Sequence, residues 1–337
     1  MIEIDGSYGE GGGSIVRLAV AFSAVTGKSC RIFNIRSGRE KVGLQPQHLT
    51  AVKAAAEISN AKVKGLVLGS REIEFYPSSI RGGRYDFDVG TAGATTLVMQ
   101  ALMIPAYHSE KALEARIKGG TIVRWSPTIG YLQNVTLPLL RKLNYNADVE
   151  IAKHGFYPRG GGLIGAKIWP SKLKAYNFAE RGKLKDVVVE VTSSQKLKER
   201  KVAERMVEAI QEDLEEKMKM PITKINYVNT LSDGVGIDIY AIYEHSILGA
   251  NALGEIKKKA EDVATEALRK ILSLHESKAT LDEHMADQIL PYLALASGNS
   301  RIKVAQVTRH AETNIWLLQK FINWDFSVKG NLIEVVK

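Results

Sequence analysis

The chain has 337 residues, 45% of them hydrophobic and 25% charged, enough for a sizeable core in one large domain or two. Lys and Arg outnumber Asp and Glu by 46 to 37, a formal charge of +9 that suits a polyanionic partner or simply a basic enzyme. Cys30 is the only cysteine, which excludes an intrachain disulfide and a cysteine-built zinc site. No apolar run reaches the ~18 residues of a membrane span. The opening MIEIDGSYGEGGG lacks a signal-peptide pattern, so a cytoplasmic location with no membrane partner is expected.

DGSYGEGGGSIVRLAV (5–20) is a glycine-rich loop running into a helix whose apolar periodicity covers 14–27. Such a loop offers backbone N–H groups and the positive helix end to an anion. It lacks the Lys-Ser or Lys-Thr of a Walker loop and the spacing of a dinucleotide fingerprint. Glu10 among the glycines would repel a phosphate unless a cation lay between them. It is therefore either a candidate magnesium or manganese contact or an exposed loop glutamate. A strand is expected over 29–35. IRSGREKVGLQPQHL (35–49) crowds Arg36, Arg39 and Lys41 into one turn, a solvated basic loop or a phosphate clamp. Gln47 and His48 open a helix over 48–60 and could donate to the same anion. In RGGRYDFDVGTAGATTLVMQ (81–100) small residues and threonines precede a helix over 95–108 that carries Gln100. Another helix is expected over 129–143.

HGFYPRGGG (154–162) sets a histidine, a proline and an arginine against three glycines. The glycines permit positive φ and close approach, and Pro158 fixes the chain on entry. The stretch reads chiefly as a tight turn into a strand over 163–170; Arg159 could hold a phosphate, but nothing nearby visibly orients His154. Next come a strand over 185–194, a charged amphipathic helix over 197–218, strands over 222–228 and 235–245, and a helix over 254–275. This β-α-β-β-α block predicts a small α/β domain inserted over 182–278. DEHMADQ (282–288) begins a helix over 282–298 that sets His284, Asp287 and Gln288 within a turn, with His284 and Asp287 able to converge. A β-run over 301–308 leads into VTRHAETNIW (307–316), where His310 sits at a strand-to-helix junction with Thr313 and Asn314 as polar neighbours. Such junctions expose side chains where α/β sheets bind ligands; a capping or satisfied histidine is the other reading. A helix over 311–322 and a strand over 332–336 close the chain. The helices fall in pairs, early, middle and late. They predict an α/β fold of three similar units over 1–181 and 279–337.

Five segments in order, DGSYGEGGGSIVR, GREKVGLQPQHLTAVKAA, HGFYPRGGG, DEHMADQ and TRHAETN, resemble the RNA 3′-terminal phosphate cyclase family across essentially the whole chain. The resemblance implies three repeats of a four-stranded sheet with two helices, and a smaller α/β domain inserted before the last repeat. It implies ATP as co-substrate, Mg2+ or Mn2+, and RNA with a 3′-terminal phosphate as partner; homo-oligomerisation is left open. It implies that His310 attacks the α-phosphorus of ATP, giving histidine–AMP, and that AMP passes to the RNA 3′-phosphate. The ribose 2′-hydroxyl then closes the 2′,3′-cyclic phosphate and expels AMP. By the same resemblance Gln100 and the run His284, Met285, Ala286, Asp287 and Gln288 correspond to ATP contacts. Glu10 would bring the metal to the ATP phosphates. Arg17, Arg36, Arg39, Gln47 and His48 match active-site positions expected on the triphosphate or the RNA phosphate. HGFYPRGGG then reads as a structural signature near the site. The chain departs from the family after GGT (119–121), where Ile122 and Val123 stand in place of an acidic or amide residue; this bears on substrate preference. Two other readings share the fold: a non-catalytic RNA-binding or ribosome-assembly scaffold, and an enolpyruvyl transferase. The retained His310, Glu10 and Asp287 speak against the first. The insertion and TRHAETN speak against the second.

Overall fold

The structure, a computed structural model, describes residues 1–337. Its first unit runs β1 (Ile2–Asp5), α1 (Gly13–Thr26), β2 (Cys30–Phe33), α2 (Pro46–Ile58), β3 (Lys62–Lys64) and β4 (Ile73–Tyr76). The sheet order is β1-β2-β4-β3; β1 and β2 are parallel and the other neighbours antiparallel. Parallel neighbours need a crossover helix, and α1 supplies it. The second unit repeats the plan with β5 (Gly83–Asp88), α3 (Thr95–Ala106), β6 (Leu113–Gly119), α4, β7 (Asn146–Lys153) and β8 (Gly162–Trp169), in the order β5-β6-β8-β7. Helix α4 is continuous through Ile129–Tyr131, a π-helical turn Leu132–Thr136, and Leu137–Lys142.

The third unit begins with β9 (Asn177–Phe178) and is then interrupted by β10 (Leu184–Ser194), α5 (Val202–Lys217), β11 (Ile222–Val228), β12 (Val235–Tyr243), β13 (Ile247–Leu253) and α6 (Ala260–Glu276). It resumes with α7 (Glu283–Leu295), β14 (Ser300–Lys303), α8 (Arg309–Phe321), β15 (Asp325–Lys329) and β16 (Leu332–Val336). Its order, β9-β14-β16-β15, is again first-second-fourth-third, with the first pair parallel. The fold is α/β with a repeated unit. The insertion lies inside the third repeat, not ahead of it. Strand β9 is two residues long, too short to show any periodicity, and only its pairing with Arg301 and Ile302 reveals it. The inserted sheet has the order β11-β10-β12-β13 and carries one strand, β13, beyond those expected. The run 301–308 is a strand only to Lys303; beyond one bridge at Val304 it is loop.

Helix α1 packs against α2, α3 and α8 as well as its own sheet. That is why SIVRLAVAFSAV is apolar nearly all round: eleven of its residues from Gly13 to Ala24 are buried. The outer faces of the sheets carry cross-strand ion pairs instead, such as Arg31 between Glu3 and Glu72, and Glu114 between Arg84 and Lys167. The inserted unit has its own apolar core, in which Val202, Met206, Ile210 and Leu214 form the inner stripe of α5. The other face of its sheet meets α4: Gly249 lies against Tyr131 and Val135 with no room for a Cβ. No helix is long and apolar enough to cross a membrane.

Candidate active site

The loop before α1, helix α3, and the starts of α7 and α8 converge, so each repeat contributes to one site. The loop is seated on α8 by two contacts. Gly9, at φ +58°, lies so close to Thr313 that a Cβ would fall 2.2 Å from its hydroxyl. Tyr8 stacks flat on Trp316, ring centroids 3.9 Å apart and planes within 9°. Glu10 is thereby delivered to His310, with Oε2 2.8 Å from Nε2. The Arg39 Nη2 donates to the Glu10 carbonyl at 3.0 Å and lies 3.5 Å from its carboxylate.

His310 is the second residue of α8. Thr308 caps that helix by accepting from the Ala311 N–H, and its hydroxyl donates to Asp287 Oδ1 at 2.8 Å. Asn314 Nδ2 donates to the Asp287 carbonyl at 2.9 Å. Asp287 thus ties α7 to the helix that carries the histidine, and its carboxyl bonds to Thr308, not to His284. Burial pushes the Asp287 carboxyl up to about 7, and Asp282, Glu10 and Glu283 add to this against the Thr308 bond. Burial holds the His310 imidazole below the ordinary histidine range; Glu10 opposes this, while Arg17, Arg39 and His284 reinforce it. A neutral ring keeps a lone pair for nucleophilic attack.

Arg17 is 8% exposed and has no carboxylate partner. Its Nε and Nη2 share Gln100 Oε1 at 3.4 and 3.3 Å. Burial lowers its pKa to about 10, with Arg36 contributing. Arg36 bonds only the Lys41 carbonyl. Isolated buried cations are costly, so a guanidinium left this way fits a site that receives an anion. Gln100 also lines a cleft with Thr96, Leu132, Thr136, Gln288 and Tyr292. Thr136, on the π-turn of α4, donates to Gln288 Oε1 at 3.3 Å.

The other expected contacts are placed as follows. Met285 and Ala286 are wholly buried on the core side of α7, because the helix turns them away from the cleft that Gln288 faces. His48 is 2% exposed; its Nδ1 accepts from the Gln45 N–H at 3.2 Å and its Nε2 edge lies against Gly13. Burial, with Arg17 and Arg36, drives its pKa down to about 3, so it stays neutral and braces the start of α1. Gln47 Oε1 accepts the Ala94 N–H at the start of α3. His284 is exposed at the start of α7. Sequence reasoning missed Thr308 and Thr136; a threonine just before a helical run is the capping signal that could have found the first.

HGFYPRGGG is a joint. Gly155 and Gly160 have backbone atoms of Gly119, Gly162 and Ala92 where a Cβ would stand. Its outer edge meets the insertion: the Arg159 N–H donates to Ser232 Oγ at 3.0 Å, Gly161 abuts Leu231, and the Phe156 ring lies over Gly234. Ile122 and Val123 are buried, Ile122 against Gly236 and Val123 with Ala94 and Leu97.

No cluster of three or more His, Cys, Asp or Glu side chains is arranged to hold a metal. Glu10 alone would fit a cation whose remaining ligands are phosphates and water, the usual habit of Mg2+.

A family model described as RNA 3′-terminal phosphate cyclase matches residues 8–328, from the Glu10 loop through α8. The chain belongs to the RNA 3′-terminal phosphate cyclase family. Relatives named RNA 3′-terminal phosphate cyclase agree. That of Pyrococcus furiosus is 41% identical over 335 residues, 99% of this chain and 97% of its own. That of Methanothermobacter thermautotrophicus is 44% identical over 331 residues, 98% and 97% of the two chains. Among solved structures, an enolpyruvyl transferase from Streptomyces tendae gives a TM-score of 0.28 at 14% identity, covering 50% of this chain and 33% of that one, too low to carry an argument. Within the cyclase family, the convergence of Glu10, Arg17, Gln100, Asp287 and His310 is the feature to explain.

Proposed function

We propose that this chain is an ATP-dependent RNA 3′-terminal phosphate cyclase working through a covalent histidine–AMP and an RNA-(3′)pp(5′)A intermediate. The observation that carries the reading is the buried, acid-free guanidinium of Arg17 in the site where Glu10 meets His310 at 2.8 Å. Arg17, Arg36 and Arg39 would receive phosphate oxygens, and the cleft of Gln100 and Gln288 the nucleoside. A divalent cation at Glu10 would neutralise charge on the triphosphate.

The His310 lone pair attacks the α-phosphorus, forming a P–N bond as the bond to pyrophosphate breaks. An RNA 3′-phosphate oxygen then displaces the histidine. The 2′-hydroxyl attacks the activated phosphorus, loses its proton, and AMP leaves. A phosphate monoester oxygen is a poor leaving group, and adenylylation exchanges it for AMP. The vicinal hydroxyl gains effective molarities of ~10⁵ M or more from its placement, and the need for a 2′-hydroxyl selects RNA over DNA.

Incubation with α-³²P-ATP and Mg2+ or Mn2+, without RNA, is the test. Wild type should take up an acid-labile, alkali-stable label that His310→Ala lacks, and 3′-phosphorylated RNA should discharge it. No label under either metal would overturn the proposal and leave the non-catalytic scaffold.

A further inference from the structure

The Tyr8–Trp316 pair is not used by the chemistry above. Trp316 is partly exposed on α8, with the Lys320 ammonium 4.8 Å from its ring centroid and Tyr8 stacked at 3.9 Å. Tyr8 itself is 45% exposed, so part of its ring surface remains open. One face of the Tyr8 ring is taken by Trp316, and Tyr8 belongs to no apolar core cluster.

The position of the pair matters more than its exposure. Tyr8 is two residues from Glu10, which contacts His310, so the Cα atoms of Tyr8 and Glu10 lie within about 7 Å of each other. Arg309, exposed beside His310, has no acid partner, and neither does Lys320. Glu312 is the acid on that turn. A flat ring backed by a second ring that carries an unpaired ammonium, two residues from the glutamate that contacts His310, has the chemistry of a stacking step for single-stranded nucleic acid.

We infer that Tyr8, supported by Trp316, stacks a base at the 3′ end of the RNA, the terminal one or its 5′ neighbour, and so sets the 3′-phosphate against His310. This rests on the cyclase reading and adds a base-binding subsite to it. Every base has a π-face, so the subsite would accept any sequence.

The test compares binding of 3′-phosphorylated RNA oligonucleotides, intact or abasic at the last or the penultimate nucleotide, by fluorescence anisotropy without ATP. Wild type should lose about 5- to 150-fold in affinity on removal of one of these two bases, the worth of one stacked base. Tyr8→Leu should bind intact RNA more weakly by a like factor and show no further abasic penalty. Tyr8→Phe should restore the wild-type pattern. A general loosening of the Glu10 loop would weaken all oligonucleotides alike and leave the intact-to-abasic ratio at its wild-type value; that ratio in Tyr8→Leu would overturn the proposal. So would an absence of abasic penalty at both positions in wild type. If wild type with ATP fails to cyclise intact RNA at all, it is the cyclase reading that falls.

Discussion

His310 and Glu10 meet at 2.8 Å, yet burial keeps the imidazole below the ordinary histidine range, so the contact only partly offsets desolvation. Removing the carboxylate removes the one influence that raises this pKa. Glu10→Gln should therefore move the His310 titration to lower pH, which an NMR titration of its ring protons would read; a shift to higher pH would mean that Glu10 is not the governing charge. Gly13 is held as tightly. A Cβ there would stand 2.0 Å from His48 Nε2, and His48 is wedged without room to retreat. Gly13→Ala should destabilise the fold by roughly 1–3 kcal/mol in thermal or denaturant unfolding, as overpacking does. Small residues in and just after the glycine-rich loop thus serve packing, Gly9 against Thr313 and Gly13 against His48.

Helix α4 is the element on which the insertion rests, through the packing of Gly249 on Tyr131 and Val135 and through buried polar contacts. Thr128 caps α4 by accepting the Tyr131 N–H while its hydroxyl donates to Asp238 Oδ1, 2.6 Å away on β12. Tyr131 in turn donates to Asp282, the cap of α7, at 2.7 Å. Burial raises the Asp238 carboxyl to about 7, against the Thr128 bond and with Glu190 adding. Its folded value lies above the unfolded one, so its contribution to stability is complete below pH ~4 and is lost as pH rises through about 7. At about 1.4 kcal/mol per pKa unit, the change is on the order of 4 kcal/mol at most. Asp238→Asn keeps an acceptor for Thr128 and cannot ionise. Its melting temperature should fall less than that of wild type between pH 5 and pH 8; an equal fall would show that Asp238 is already ionised in the folded protein across that range, its pKa not raised. On the same joint, Phe156 is 4% exposed and covers Gly234. Phe156→Ala should cost about 3–5 kcal/mol and loosen the insertion, read as faster amide exchange in residues 229–234.

Across the whole molecule, the +9 charge is unevenly used. The outward sheet faces tie their cations to acids, as Lys118 does to Asp88 and Arg301 to Glu334. Arg17 and Arg36, where the three repeats meet, have no such partners. If RNA docks there, log affinity should fall linearly with log salt, with a slope of about −0.7 for each phosphate contact. Filter binding over a salt series would measure it. A flat response would place the RNA away from these cations.

The six helices of the repeats and the two of the insertion were legible because amphipathic or wholly apolar stretches of twelve or more residues repeat their signal over several turns. α1 runs from Gly13 to Thr26 against an expected 14–27. Short strands were not: β9 has two residues and β3 three, too few to show a period, and only their pairing with β14 and β4 defines them. The same division holds for the site. The residue types, a histidine at a helix start, a glutamate among glycines and clustered arginines, stood in the sequence. Which of them converge did not. His48 and Arg17 look alike as candidates in a linear reading, but folding buries both and leaves only Arg17 with an unmatched charge. Met285 and Ala286 belong to the same run as Asp287 and Gln288, and the 100° turn per residue of a helix sends the first two into the core. Local chemistry and period are written in neighbouring residues. Burial and partnership are properties of contacts between residues from tens of positions apart, as Arg17 and Gln100, to hundreds, as Glu10 and His310, so only the tertiary structure decides them.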